Sequence, residues 1–236
     1  MDGPVGDAQT WCCAAILTAN ANNETGSGPA FLNLCSMGGP ADWAKLTLDQ
    51  ITKLIAPKGC HVEPAKAILQ VCGALPATSL GQRRYWTNAK LEKMAKNGSG
   101  LAENVKGLGE KTASCVYLYY THQRSHFVID VNCLRFLVDC GLQPTPREQH
   151  ARADTSYPHP NGLKNPTSEC RNAAEDMKAA FGPTGLQLPF DKVFKLSLSM
   201  NVYSQMYKAN GLGRCGMAYT APLFANGNPR DMLRRQ

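Results

Sequence analysis

Apolar residues recur at three- and four-residue spacing along most of this chain, and alternation of the strand type is scarce. The pattern predicts an all-α fold. "AQTWCCAAILTANANN" reads as an apolar-rich helix closing in an asparagine cluster. In "TLDQITKLIAPKG", Thr47 is placed as an N-cap, Leu48, Ile51, Leu54 and Ile55 share a face, and Pro57 and Gly59 stop the helix. "VEPAKAILQVCGAL" carries Pro64 in its first turn and sets Ala65, Ile68, Leu69 and Cys72 on one side. "TNAKLEKMAKNGSG" turns Leu91, Met94 and Ala95 inward and its lysines outward. "EKTASCVYLYY" and "VNCLRFLVDCGL" follow, the second ended by Gly141.

The texture changes from Gln143. Prolines 144, 146, 158, 160 and 166 and many polar residues predict an exposed irregular loop over 143–167. Helical spacing returns in "SECRNAAEDMKAAFG", with Ser168 as a candidate cap. It returns again in "DKVFKLSLSMNVYSQMYKANG", where Val193, Leu196, Met200 and Tyr203 repeat. The organisation expected is a helical domain over 8–142, the loop, and a C-terminal helical lobe over 168–236. No internal repeat is present. The tail "GNPRDMLRRQ" holds three arginines and reads as a solvated end or a phosphate contact.

Composition narrows the function classes. Hydrophobic residues make up 43% of the 236 and charged residues 18%, which suits a folded globular chain and excludes a disordered one. The net charge of +7 suits a polyanionic partner and equally suits a basic solvated surface. Ten cysteines are scattered without a CxxC pair, as reduced, buried small hydrophobes of an intracellular protein would be. "MDGPVGDAQT" has no basic leader region, and no apolar run reaches the ~20 residues of a membrane helix. The five histidines are spread out, with no cysteine partner at ligand spacing, so no metal is assigned.

The chemistry concentrates in "VKGLGEKTASCVYLYYTHQRSHFVIDVN", residues 105–132. A short helix ends near Asn104. Gly107 and Gly109 permit a tight turn at positive φ, and a new helix starts at Glu110. Main-chain N–H groups of the turn and of the new helix's first turn make an anion site that a DNA phosphate fits. Lys111 stands in that first turn, where the helix dipole disfavours a charged ammonium and so favours a nucleophilic amine able to form a Schiff base. Cys115 lies one turn on, on the same face. Asp130 follows "HFVI" and is placed as the N-cap of the next helix. Helix N–H groups favour its anion, which could stabilise an oxocarbenium-like transition state.

With these residues in place, "VKGLGEKTAS…FVIDVN" resembles the helix-hairpin-helix signature, followed by its aspartate, of the DNA glycosylase superfamily that includes endonuclease III and 8-oxoguanine glycosylase. The family hairpin has the form L-P-G-(V/I)-G-x-K-(T/V)-A, and the aspartate follows in V-D-(T/V/G)-(H/N). The resemblance implies two helical lobes with a cleft between them, the helix-hairpin-helix at about 100–121. It implies Lys111 and Asp130 as catalytic residues of a bifunctional enzyme that removes a base and then nicks the strand. It further implies DNA contacts at Lys106, Gly107, Leu108, Gly109 and Thr112, and a base pocket with Cys115 and Asn132. "AAILTANANN" is similar to the family's "LLSAQATD" helix, where the residue matching Asn20 fills the hole left by the flipped base. The likeness runs from about Trp11 to Leu142.

Lys106 stands where the family has proline, adding a phosphate-facing charge. Only Cys170 and Cys215 lie near the C-terminus, so no iron–sulfur cluster and no other cofactor is expected. The family's preceding N-terminal helix is expected to be missing. "KTASCV" with "IDV" is like 8-oxoguanine glycosylase. "GLGxKxxxCVxLxxxH" with "DxN" is like the plant 5-methylcytosine glycosylases. The endonuclease III group, which acts on oxidised pyrimidines, shares the hairpin. Oxidised or modified pyrimidine ranks first among these. The partner implied is double-stranded DNA met by a monomer, intracellular and nuclear in a eukaryote. The rival reading is a non-catalytic helix-hairpin-helix module that only grips phosphates.

Overall fold

The structure is a computed structural model that describes residues 6–19, 23–59, 61–79, 82–123, 126–130, 133, 166–181, 189, 191–193 and 195–196. It divides into two compact units, Met1–Gln123 and Arg124–Gln236. The described residues are mainly helical, and none of their helices is long and apolar enough to cross a membrane.

In the first unit, α1 (Ala8–Thr18) is the central helix. Asp7 caps it, its carboxylate accepting from the Thr10 N–H and the Thr10 hydroxyl, each at 2.8 Å. Its buried residues, Cys12, Cys13, Ala15, Ile16 and Leu17, take up more than half of its circumference. Helices α5 (Val62–Val71), α6 (Asn88–Asn97) and α8 (Glu110–Cys115) all pack on it, so no single polar stripe survives. The helix stops at Thr18, before the asparagine cluster. Ala19 turns extended there, and its carbonyl accepts from the Lys58 ammonium.

The cap read at Thr47 and the stop read at Pro57 and Gly59 hold in detail. In α4 (Leu48–Leu54), the Gln50 N–H donates to the Thr47 hydroxyl at 3.2 Å, and the Thr47 N–H donates to Gln50 Oε1 at 2.8 Å. Ala56–Lys58 tightens into a 3-10 turn, and Gly59 leaves it at φ 92°. Thr87 caps α6, which ends on left-handed Gly98. Ile51, Ile68, Leu91 and Ala95 are buried as their spacing predicts.

Two helices escaped the periodicity: α2 (Gly28–Cys35) and α3 (Pro40–Trp43), both too short to show a repeat but each with proline in its first turn. A short antiparallel ribbon, β1 (Ala77–Ser79) with β2 (Gln82–Arg84), joins α5 to α6. Its strands of three residues are too short to display alternation.

Four of the described cysteines are buried: Cys12, Cys13, Cys72 and Cys133. None of the seven described cysteines forms a disulfide. Burial pushes the Cys12 thiol up to about 12, so it stays protonated at neutral pH.

In the second unit, residues 126–130 form neither helix nor strand, and Phe127, Val128 and Ile129 are buried. Helix α9 (Pro166–Phe181) turns Ala173 and Met177 inward at i, i+4 spacing. It begins at Pro166, so Ser168 lies inside it rather than capping it; a proline supplies the preset φ that a first helical residue needs. The Pro189 carbonyl accepts from the Lys192 and Val193 N–H groups at 3.0 and 3.1 Å, opening a helical stretch in which Val193 is buried. Most of the expected loop and of the last helix lies outside the described residues.

Candidate functional site

Two short helices meet at the candidate turn: α7 (Leu101–Asn104) and α8, joined by residues 105–109. The Leu108 N–H donates to the Val105 carbonyl at 3.0 Å, closing a β-turn with Lys106 and Gly107 at its centre. Gly107 has φ 90°, as the type II turn asks of that position. A Cβ there would lie 2.9 Å from Cβ of Ala67 on α5 and 3.5 Å from Cγ1 of Ile16 on α1. The turn is therefore pressed onto the two central helices, with Val105 and Leu108 buried as its anchors.

Gly109 differs from Gly107, contrary to the expectation of positive φ at both. It is extended, at φ −76° and ψ 173°, and nothing lies within 4 Å of where its Cβ would be. It is the N-cap of α8 and has no side chain with which to cap. The first-turn N–H groups of α8 have no carbonyl one turn back within the helix.

Tyr117 fixes how α7 stands to α8, and periodicity alone does not reveal it. After Cys115 the helix widens, and the Thr121 N–H reaches back five residues to the Val116 carbonyl at 3.4 Å. On this wider turn the buried Tyr117 hydroxyl accepts from the Leu101 N–H at 2.9 Å. Gly100, the residue before α7, has no side chain for that role, so a phenol from the far arm caps the near one.

Lys111 is the second residue of α8 and half-buried; Cys115, one turn later, is half-buried too. Thr112 is buried, and its hydroxyl donates to the Gly109 carbonyl at 2.8 Å. Lys106 is exposed, with its ammonium 3.1 Å from Glu63 Oε2 on α5. Glu63 also holds Lys66 at 2.8 Å, and first Lys66 and then Lys106 keep its carboxyl below the usual range. Glu63 was not legible as part of this surface, because the pair spans 43 residues of chain.

Asp130 belongs to the second unit and is half-buried. Its Oδ1 accepts from the Cys133 N–H at 2.9 Å, the N-cap bond expected of it. The Cys133 thiol donates to the Val128 carbonyl at 3.4 Å. Four residues before Asp130, burial and then the charge of Lys178 push the His126 imidazole down to about 4, so it is neutral at pH 7. Asn20 and Asn132 lie outside the described residues. Among the described residues, no three side chains of the metal-binding types come together.

Comparison with family models, with curated proteins and with solved structures returned no match to this chain.

Proposed function

We propose that the chain is a bifunctional DNA glycosylase and abasic-site lyase, with the 105–109 turn and its flanking helices as the helix-hairpin-helix of a two-lobed fold. The observation that carries the reading is Lys111, a half-buried residue in the first turn of a helix whose start is held against α1 and α5 by Gly107. On this reading duplex DNA lies against the main chain of the turn, and the target nucleotide flips out, at a cost of a few kcal/mol that is least for a damaged base. Asp130 stabilises positive charge on the deoxyribose. The Lys111 amine attacks C1′ and the base leaves. The resulting Schiff base permits β-elimination, which nicks the strand. Oxidised or modified pyrimidines are the first substrates to try.

The deciding experiment incubates the protein with duplex oligonucleotides carrying single lesions, with and without borohydride. Lesion-dependent nicking and a trapped covalent adduct are expected. Tight binding without either would leave only the phosphate-gripping module.

The two glycines of the turn make opposite predictions. Gly107→Ala meets both a disfavoured φ, at ~1–2 kcal/mol, and a clash with Ala67 that must give, at about 1–3 kcal/mol. Chemical denaturation should show a loss of about 2–5 kcal/mol. Gly109→Ser has room and an allowed backbone, and its hydroxyl can accept from a first-turn N–H. It should stabilise the fold by a few tenths of a kcal/mol, yet weaken duplex binding by capping the helix start that a phosphate would occupy. Unchanged DNA affinity in the serine variant would remove the helix start from the interface.

Glu63→Gln removes the carboxylate that holds Lys106 and Lys66. Duplex affinity should rise, and the salt dependence of binding should steepen by about 0.9 for each lysine that turns to a phosphate. A fluorescence anisotropy titration across salt concentrations reads both.

A further inference from the structure

The ribbon between α5 and α6 is a second feature with chemistry of its own. No acidic residue occurs anywhere between Glu63 and Glu92, while Arg83, Arg84 and Lys90 fall in that interval. Arg83 and Arg84 occupy the second and third positions of β2, across from Thr78 and Ala77 of β1. Neither cross-strand neighbour can form an ion pair. Arg83 and Arg84 are adjacent positions of β2, so this short strand carries two consecutive basic residues.

The root of this ribbon is fixed to the first unit. Trp86, just past β2, is buried. Gly73, just past α5, lies so close that a Cβ on it would come within 2.9 Å of the Trp86 carbonyl oxygen. Gln70 Nε2 donates to the Pro76 carbonyl at 3.3 Å. Tyr85 is 49% exposed, and the Lys90 ammonium donates to its carbonyl at 3.3 Å, which brings a third positive charge to the base of β2. The nearest acid in sequence, Glu92, is engaged by Lys96 at 2.7 Å.

We infer that the ribbon Ala77–Ser79/Gln82–Arg84, with Tyr85 and Lys90 at its foot, is a second DNA contact that grips the phosphate backbone of the duplex apart from the 105–109 turn. The charge is complementary, and guanidinium groups match phosphate geometry by paired N–H bonds. An exposed tyrosine hydroxyl also bonds phosphate. Such contacts position a duplex without reading its sequence. A two-stranded ribbon is also slim enough to follow a groove. This inference rests on the DNA reading above and adds a place on the molecule to it.

The test uses the full chain and a labelled lesion-free duplex, with binding measured by anisotropy at several salt concentrations. Arg83→Gln/Arg84→Gln keeps polar residues on the strand. It should make the slope of log affinity against log salt shallower by roughly 1.8, that is, about 0.9 for each phosphate no longer neutralised. Each single variant should give about half that shift, which keeps the test open if the double variant does not fold. The control is Lys45→Ala/Lys53→Ala, which removes the same charge from exposed residues elsewhere on the unit, each engaged by an acid of its own. The control should leave the slope unchanged. A ribbon variant that binds like the parent, or a control that shifts as far as the ribbon variant, overturns the proposal while leaving the DNA reading intact. A parent protein with no salt-dependent duplex binding overturns both.

Discussion

Lys111→Ala should form no borohydride-trapped adduct with lesion-bearing duplex and should nick it ~10³-fold more slowly or worse, the scale on which removing an enzyme nucleophile acts. Substrate binding should survive. The turn meets phosphate through main-chain N–H groups, and truncating the side chain removes at most one ionic interaction, about 0.9 in the salt slope. The fold should survive too. Lys111 is on the first turn of α8 and only half-buried, while Gly107, Val105 and Leu108 attach the turn to α1 and α5. Gel analysis of trapped adducts and anisotropy binding separate the two effects. An alanine variant that traps DNA as fully as the parent would sink the Schiff-base role. A variant that has lost binding and chemistry in equal proportion would make Lys111 a phosphate ligand.

Asp130→Asn is expected to lower the rate of base removal by ~10²–10³ while leaving the melting temperature nearly unchanged. Two functions meet in this side chain, and the substitution separates them. As a cap, Asp130 needs only an acceptor for the Cys133 N–H, and asparagine accepts as well as aspartate. As a stabiliser of positive charge on the sugar, it needs the anion, which asparagine lacks. Asp130→Ala should add a stability loss of about 1 kcal/mol, because the cap goes as well. Full activity in the asparagine variant would reduce Asp130 to a cap. Single-turnover kinetics on a lesion duplex, beside thermal melts of all three proteins, decide it.

The parts of the site that could be read from the chain are those specified within a few residues. "VKGLGEK" predicts the turn, the helix start and the place of Lys111, because a turn needs a glycine and a helix start needs only a break in periodicity. Asp130 as a cap was equally legible, since a capping bond reaches three residues ahead. What stayed hidden has partners far along the chain: Glu63 beneath Lys106, the Tyr117 hydroxyl on the Leu101 N–H, and the Ala67 and Ile16 side chains under Gly107.

The same division runs through the fold. The places of α1, α4, α5, α6 and α8, the cap at Thr47 and the inward faces of α4, α5 and α6 follow from backbone hydrogen bonding and the 3.6-residue period, which each segment satisfies on its own. Tertiary packing alone decided that α1 is enclosed on more than one side. It also decided that Gly107 and Gly109, two residues apart, take opposite roles, and that Arg83 and Arg84 sit on a ribbon rooted by Trp86. The reason is one of range. A cap or a turn is settled by groups within one helical turn of each other. The side of a residue that faces another helix is settled only when segments tens of residues apart close-pack, and no local pattern encodes which segments those are.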